Sequence, residues 1–302
     1  MTLPVNSNRK VSSRTLYVSD LDGTLLDSSV QIPESAVETL NRAIDCGAMF
    51  TVATARTPGT LCHLLRDVHL RLPAIVMTGA TMWQRETNTY TDTCYFHPAT
   101  VASIRDVYRR YGLSSFIYTL RDDMITVYHQ GPLSDMERDF IRARLRNPYK
   151  RFMIRPDGES DIPVDPEDVV LFFAMQPSDV GHPAFEALGD VEGVNPMFYN
   201  DANYPEIAMI EAFPRGATKA LAIKRLARQT GAERIVVFGD NFNDLPMFDI
   251  ADTAVAVSNA IPEVKERADI VTGHHDTGAV ADFILNDFLT NMPPAAASLL
   301  EF

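Results

Sequence analysis

The sequence predicts an α/β fold in which a parallel-sheet core is split by an inserted α+β unit. Two observations predict it. At both ends of the 302-residue chain, short apolar runs alternate with amphipathic helical stretches, the pattern of parallel strands covered by helices. Between them the rhythm changes to neighbouring strands joined by short turns, as in an antiparallel or mixed sheet. The length suits two domains. A content of 46% hydrophobic and 22% charged residues is that of an ordinary globular chain.

The first apolar run, Leu16-Tyr17-Val18, ends in Ser19-Asp20-Leu21-Asp22-Gly23-Thr24. A helix follows from Pro33 to Ile44, with proline in its first turn, Val37, Leu40, Ala43 and Ile44 on one face, and Gly47 closing it. A buried strand, Ala48–Ala53, stops at Thr54-Ala55-Arg56. A helix from Pro58 to about Leu70 leads to the strand Ala74–Met77, which stops at Thr78-Gly79-Ala80.

The inserted unit is placed at residues 83–212, leaving 1–82 plus 213–302 as the core. Within it the pattern predicts a strand at Tyr90–Phe96, a helix at Pro98–Tyr111 and strands at Ser115–Tyr118 and Met124–Tyr128. A basic helix (Met136–Leu145) and a polar loop come next, then a strand at Val169–Met175, a short helix near Pro183–Leu188, and strands at Asn195–Tyr199 and Ile207–Glu211. The first rhythm then returns: helix Ala217–Gln229, strand Arg234–Phe238, the turn Gly239–Asp244, a helix from Leu245, strand Thr253–Val257, a helix from Pro262 and strand Ile270-Val271. The Pro/Ala-rich stretch 293–297 reads as a loose end or packing arm.

A formal net charge of −13 argues against nucleic acid or an anionic membrane as partner. Cys46, Cys62 and Cys94, odd in number and widely spaced, suggest reduced thiols and a cytoplasmic setting. No apolar run approaches the ~20 residues of a membrane span, and the first 14 residues lead into no apolar signal-peptide region.

The chemistry concentrates where predicted parallel strands end, the edge at which open α/β sheets place ligands. Asp20 and Asp22, two residues apart in an extended segment, are able to face one pocket. Carboxylates that close repel unless a cation intervenes, and Mg²⁺ is the oxygen-seeking ion of phosphate sites. Thr54, Lys219 near a helix start, and Asp240 with Asn243 and Asp244 lie at equivalent edges. A phosphoryl group in transit needs such a set: a nucleophile, a proton donor, cations, and donors for its equatorial oxygens.

The segments DLDGT (20–24), VATAR (52–56), GATKA (216–220) and GDNFND (239–244) resemble the four motifs of the haloacid dehalogenase superfamily of phosphohydrolases. The long insertion, VSNA (257–260) and DTGAV (276–280) resemble its Cof-type sugar-phosphatase branch. The resemblance implies a Rossmann-like core with a cap, and Mg²⁺-dependent hydrolysis of a small phosphorylated metabolite. Asp20 would be the nucleophile and a metal ligand, and Asp22 the general acid/base, binding metal through its backbone carbonyl. Asp240 and Asp244 would complete the metal site. Thr54, Lys219, Asn243, Arg56 and Gly79 would contact substrate, with Thr78-Gly79 standing where relatives often carry Asn-Gly. Arg56 has a second reading, as partner of a carboxylate behind the site.

A phosphosugar mutase of the phosphomannomutase type would use the same residues, and a non-catalytic phosphosugar-binding or regulatory protein is a further alternative, although no member of the catalytic set is missing. A phospho-accepting receiver domain would lack both Asp22 and the insertion. Asn259 has two equal readings, near the phosphate or as a turn residue before Pro262. The cluster Arg142, Arg144, Arg146, Lys150, Arg151 and Arg155 reads as a solvated helix face, His274-His275 as surface loop, and Tyr118, Tyr128 and Phe152 as core.

Overall fold

Every residue of the first strand, β1 (Thr15–Ser19), is buried, as expected of a strand covered on both faces. The computed structural model describes residues 12, 14–155, 162–200 and 204–291; the stretch 293–297 lies outside them. After β1 come α1 (Glu34–Asp45), β2 (Met49–Val52), α2 (Pro58–Leu61), β3 (Ala74–Val76) and β4 (Thr81–Gln84). The insertion contributes β5 (Thr89–Thr91), α3 (Pro98–Arg110), β6 (Phe116–Arg121), β7 (Met124–Gln130), α4 (Asp135–Arg142) and β8 (Lys150–Arg155). It continues with β9 (Val169–Pro177), α5 (Ser178–Gly189), β10 (Val194–Asn200) and β11 (Ile207–Pro214). The chain returns through α6 (Lys219–Thr230), β12 (Arg234–Gly239), α7 (Leu245–Phe248), β13 (Thr253–Ala256), α8 (Pro262–Arg267), β14 (Ile270–Val271) and α9 (Ala279–Asn291). Contacts divide it into two compact units, one running up to Thr87 and resuming at Lys219, the other Asn88–Thr218.

The first unit holds a five-stranded parallel sheet in the order β14-β13-β12-β1-β2, and a parallel bridge between Ala53 and Ile75 sets β3 beside β2. Ser19 is level with Phe238 on one side and Val52 on the other. This register brings the ends of β1, β2 and β12 to one edge, and it decides where the chemistry sits. Beneath the sheet, α9 packs along α1, with Val280, Ile284 and Phe288 buried at a spacing of four. Asp287 of α9 accepts from Tyr17 Oη at 2.8 Å and from Arg234 Nη1 at 2.6 Å, tying the helix to two central strands.

The second unit holds a six-stranded sheet, β10-β11-β9-β6-β7-β8, antiparallel except where β8 runs parallel to β7. On one face Ile104 and Tyr108 of α3 and Leu188 of α5 join Phe172 and Ile210 in a core. On the other, Phe140 of α4 packs against Phe116 and Phe173 at centroid separations of 5.1 and 5.4 Å. Ser134 and Glu137 form a reciprocal capping box at the start of α4.

Several expectations are corrected. The helix expected to run to about Leu70 ends at Leu61. Leu64 N–H and Val68 N–H bond three residues back, to Leu61 and Leu65, so tight turns bury the same apolar residues that gave a helical period. The strand expected at Tyr90–Phe96 shortens to Thr89–Thr91. Lys150–Arg155 is a strand rather than loop, so the basic cluster is no single helix face. Arg142 is in α4 and Arg144 follows it, its guanidinium 4.0 Å above the Phe140 ring, while Lys150 is buried. Of the three aromatics, Tyr118 is core and Tyr128 and Phe152 are half-buried.

Glu211 of β11 is buried, with Oε2 lacking a partner among the described residues, and burial pushes its carboxyl up to about 7. The unfolded chain therefore loses this proton first, and stability drains away as pH rises from about 4.5 through about 7. Glu211→Gln is expected to raise the thermal midpoint at pH 8, by the equivalent of about 1–3 kcal/mol, and to change it little at pH 4.5. Equal effects at both pH values would contradict this.

Candidate active site

Asp20 continues the register of β1, its N–H donating to Phe238 O at 3.0 Å. The chain then turns at Asp22 (φ −72°, ψ 118°) and Gly23 (φ +78°, ψ 0°), the dihedrals of a type II turn. Position 23 needs glycine twice over, for its φ and for space: a Cβ there would lie 2.5 Å from Asp240 Oδ2. The Asp240 backbone follows β12, and Thr24 Oγ1 donates to its Oδ1 at 2.9 Å.

Asp20, Asp240 and Asp244 offer carboxylate oxygens within 4.8 Å of one another. Lys219, the first residue of α6, is 3% exposed and enters this cluster from the side. Its Nζ donates to Asp20 Oδ1 at 2.6 Å and to Asp244 Oδ1 at 2.9 Å. Asp244 Oδ2 accepts from the backbone N–H groups of Asp240 and Asn241 at 3.0 and 3.3 Å, so both its oxygens are engaged. Burial, then the carboxylates of Asp244 and Asp240, push Asp20 up to about 7 against the pull of Lys219. Burial and Asp244 push Asp240 up to about 6. Burial works against the Lys219 charge, but Asp20 and Asp244 more than offset it and raise its pKa.

Asp22 is outside this cluster. Its carboxylate is half exposed and takes a bidentate pair from Arg56, Nε to Oδ2 at 2.8 Å and Nη2 to Oδ1 at 2.6 Å. Of the two readings of Arg56, the geometry shows the carboxylate pair. Thr54, buried past the end of β2, accepts the Arg56 N–H on Oγ1 at 3.1 Å, which leaves its hydroxyl proton available. Met77, Thr78 and Gly79 follow β3 with φ of +51°, +58° and +90°, an unusual run for residues bearing a Cβ. Thr78 Oγ1 is buried without a partner among the described residues. Asn243 is exposed on the turn before Asp244.

The sequence reading missed the clamp behind the Asp22-Gly23 turn. Asn259 Nδ2 donates to Gly23 O at 2.8 Å, and Asn259 Oδ1 accepts from His275 N at 3.1 Å. His275 Nδ1 meets Leu26 O at 2.6 Å, and Asp276 Oδ1 accepts from Ser28 N and Oγ at 2.7 and 2.8 Å. His274-His275 is thus no simple surface loop, since the His275 side chain is 12% exposed and braces the loop after β1. No local pattern signals this, because the partners are about 250 residues apart.

An all-parallel sheet with an acidic, lysine-bridged cluster at its C-terminal edge is the architecture the four motifs imply. The sequence profile of the haloacid dehalogenase-like hydrolases matches residues 17–284, and the chain belongs to that family, as a Cof-type member. It is 25% identical over 272 residues to the pyridoxal phosphate phosphatase YbhA of Escherichia coli, covering 89% of this chain and 97% of that protein. It is 26% identical over 279 residues to the 5-amino-6-(5-phospho-D-ribitylamino)uracil phosphatase YwtE of Bacillus subtilis, covering 88% and 95%. A haloacid dehalogenase-like hydrolase from Bacteroides thetaiotaomicron shares the fold with a TM-score of 0.71 at 23% identity, over 92% of this chain and 99% of that one. A sugar phosphatase of subclass IIB does so at 0.66 and 21%, over 90% and 98%.

Removing the ammonium should unbalance the buried carboxylates. Lys219→Met in metal-free buffer is expected to cost about 3–5 kcal/mol of folding stability, read from denaturant midpoints. An unchanged midpoint would show that the bridge carries no stability.

Proposed function

We propose that this hydrolase of phosphoric monoesters takes a small phosphorylated metabolite, requires Mg²⁺, and passes through an aspartyl-phosphate on Asp20. One observation carries the reading: Lys219 bridges Asp20 and Asp244 beside Asp240. Three carboxylates against one ammonium leave two negative charges uncompensated, the deficit a divalent cation fills. The donors are all oxygen, which suits Mg²⁺. The Asp20 and Asp240 carboxylates and the Asp22 backbone carbonyl would hold the ion, while Asp244, its oxygens engaged by Lys219 and two amides, positions the others. When bound, the ion offsets charge on the transferring phosphoryl group.

In this reading Asp20 attacks phosphorus and the ester oxygen departs, splitting one displacement into two easier steps. Lys219 favours the ionised form of Asp20 against the push of burial and holds its carboxylate in place. Thr54 donates a hydrogen bond from its hydroxyl to a phosphoryl oxygen, and the Gly79 and Asn243 positions supply further contacts. Asp22 protonates the leaving oxygen and then takes a proton from the water that releases inorganic phosphate. Arg56, paired with both Asp22 oxygens in this structure, would release one of them so that Asp22 can carry the proton it gives. Selection of the metabolite is assigned to the inserted unit.

Support for the substrate class comes from the relatives, whose names specify pyridoxal phosphate and a phosphoribityl compound. The absence of a disulfide among Cys46, Cys62 and Cys94 supports a reducing, cytoplasmic setting. Among the described residues no helix is long and apolar enough to cross a membrane.

A phosphate-release assay over a panel of metabolite phosphates tests the assignment. Asp20→Asn should abolish turnover with the fold intact by circular dichroism, and residual activity near the parent level would overturn the nucleophile. Asp22→Asn should lower kcat by about 10²–10⁴, most for poor leaving groups. Chelation by EDTA should stop turnover and added Mg²⁺ restore it; activity indifferent to EDTA would overturn the metal requirement.

A further inference from the structure

The turn between β14 and α9 carries His274, His275 and Asp276 in succession, each offering a ligand atom within 4.8 Å of the others. We propose that these three residues form a second cation site, for a transition ion of the Zn²⁺ or Co²⁺ kind, with donors separate from those of the carboxylate cluster.

Each imidazole stands at ligand-to-ligand separation from one oxygen of the Asp276 carboxylate, His274 from Oδ2 and His275 from Oδ1. Two donors bound to a tetrahedral ion at about 2.0–2.2 Å lie about 3.3–3.6 Å apart. His274 Nδ1 lies 3.3 Å from Asp276 Oδ2, and His275 Nε2 lies 3.6 Å from Asp276 Oδ1.

The protonation pattern fits as well. Leu26 O only accepts, so the proton of the 2.6 Å contact belongs to His275 Nδ1. In the neutral ring this leaves the Nε2 lone pair facing Asp276. A ligating histidine anchored through its other nitrogen to a carbonyl is the usual support of a metal site. Asp276 is anchored too, by Ser28 N and Oγ on Oδ1, with Oδ2 turned to His274. His274 Nδ1 also accepts the Asp276 N–H at 3.3 Å, a long bond that the ion replaces.

Two imidazoles and one carboxylate select a borderline transition ion over Mg²⁺. His274 and Asp276 side chains are 46% and 43% exposed, so an ion reaches the site from solvent and a fourth position stays open to water. The site therefore needs little reorganisation to load, because its inner histidine and its carboxylate are already fixed against the nucleophile loop.

The test is a Co²⁺ titration of the full-length protein in saturating Mg²⁺, followed by visible absorption. The expected result is one saturable equivalent with nitrogen/oxygen-type bands and no thiolate charge-transfer band from Cys46, Cys62 or Cys94. His274→Ala and Asp276→Asn should each weaken it about tenfold or more, while Asp240→Asn leaves it unchanged. Thermal melts of both variants confirm folding. No cobalt uptake by the parent protein, affinity unchanged in both variants, loss in Asp240→Asn, or a thiolate band would each overturn the proposal.

Discussion

A single buried ammonium sets the terms for this site. Lys219 lies between Asp20 and Asp244 with almost no water around it, where charge interactions are strong and unpaired charges costly. Without it, three carboxylates would crowd the end of a parallel sheet. With it, Asp20 is fixed in place, Asp244 bonds both the ammonium and the backbone of 240–241, and the fully ionised set would carry two net negative charges. The proposed demand for a divalent ion follows from that imbalance.

The sheet makes the arrangement possible. Because Ser19 is level with Phe238 and Val52, the loops after β1, β2 and β12 leave from one edge, and a one-residue slip of register would scatter them. The approach is close enough to dictate residue type. A Cβ at Gly23 would meet Asp240 and one at Gly239 would lie 2.6 Å from Asp244 Cβ. The clamp from Asn259 and His275 then holds the first loop from behind, so the segment after β1 is gripped on both sides.

What the sequence revealed, and what it hid, follows from the range of each interaction. The strands of the parallel core were legible because each is a short apolar run stopped by turn residues, and the acids stood out because they cluster at those stops. Helix α9 was not foreseen, although Val280, Ile284 and Phe288 recur every four residues. Strand β8 was hidden by its charges, since Lys150 is buried and Arg151 and Arg155 mask the alternation of Phe152 and Ile154. The helix expected past Leu61 had the right period but the wrong hydrogen bonds. His275 reads as surface in the sequence because its partners, Leu26 and Asn259, become neighbours only in the fold. Asp22 was the subtler case, since spacing pairs it with Asp20 whereas the fold gives it to Arg56.

The proposed chemistry makes Asp20 the phosphoryl carrier. Rapid acid quench of the protein during turnover, followed by peptide mass mapping, tests it most directly. One phosphoryl group is expected on the peptide containing Asp20, appearing before inorganic phosphate and disappearing as substrate runs out. Phosphate release with no phosphorylated peptide at any quench time, or a phosphoryl group on another residue, would contradict it.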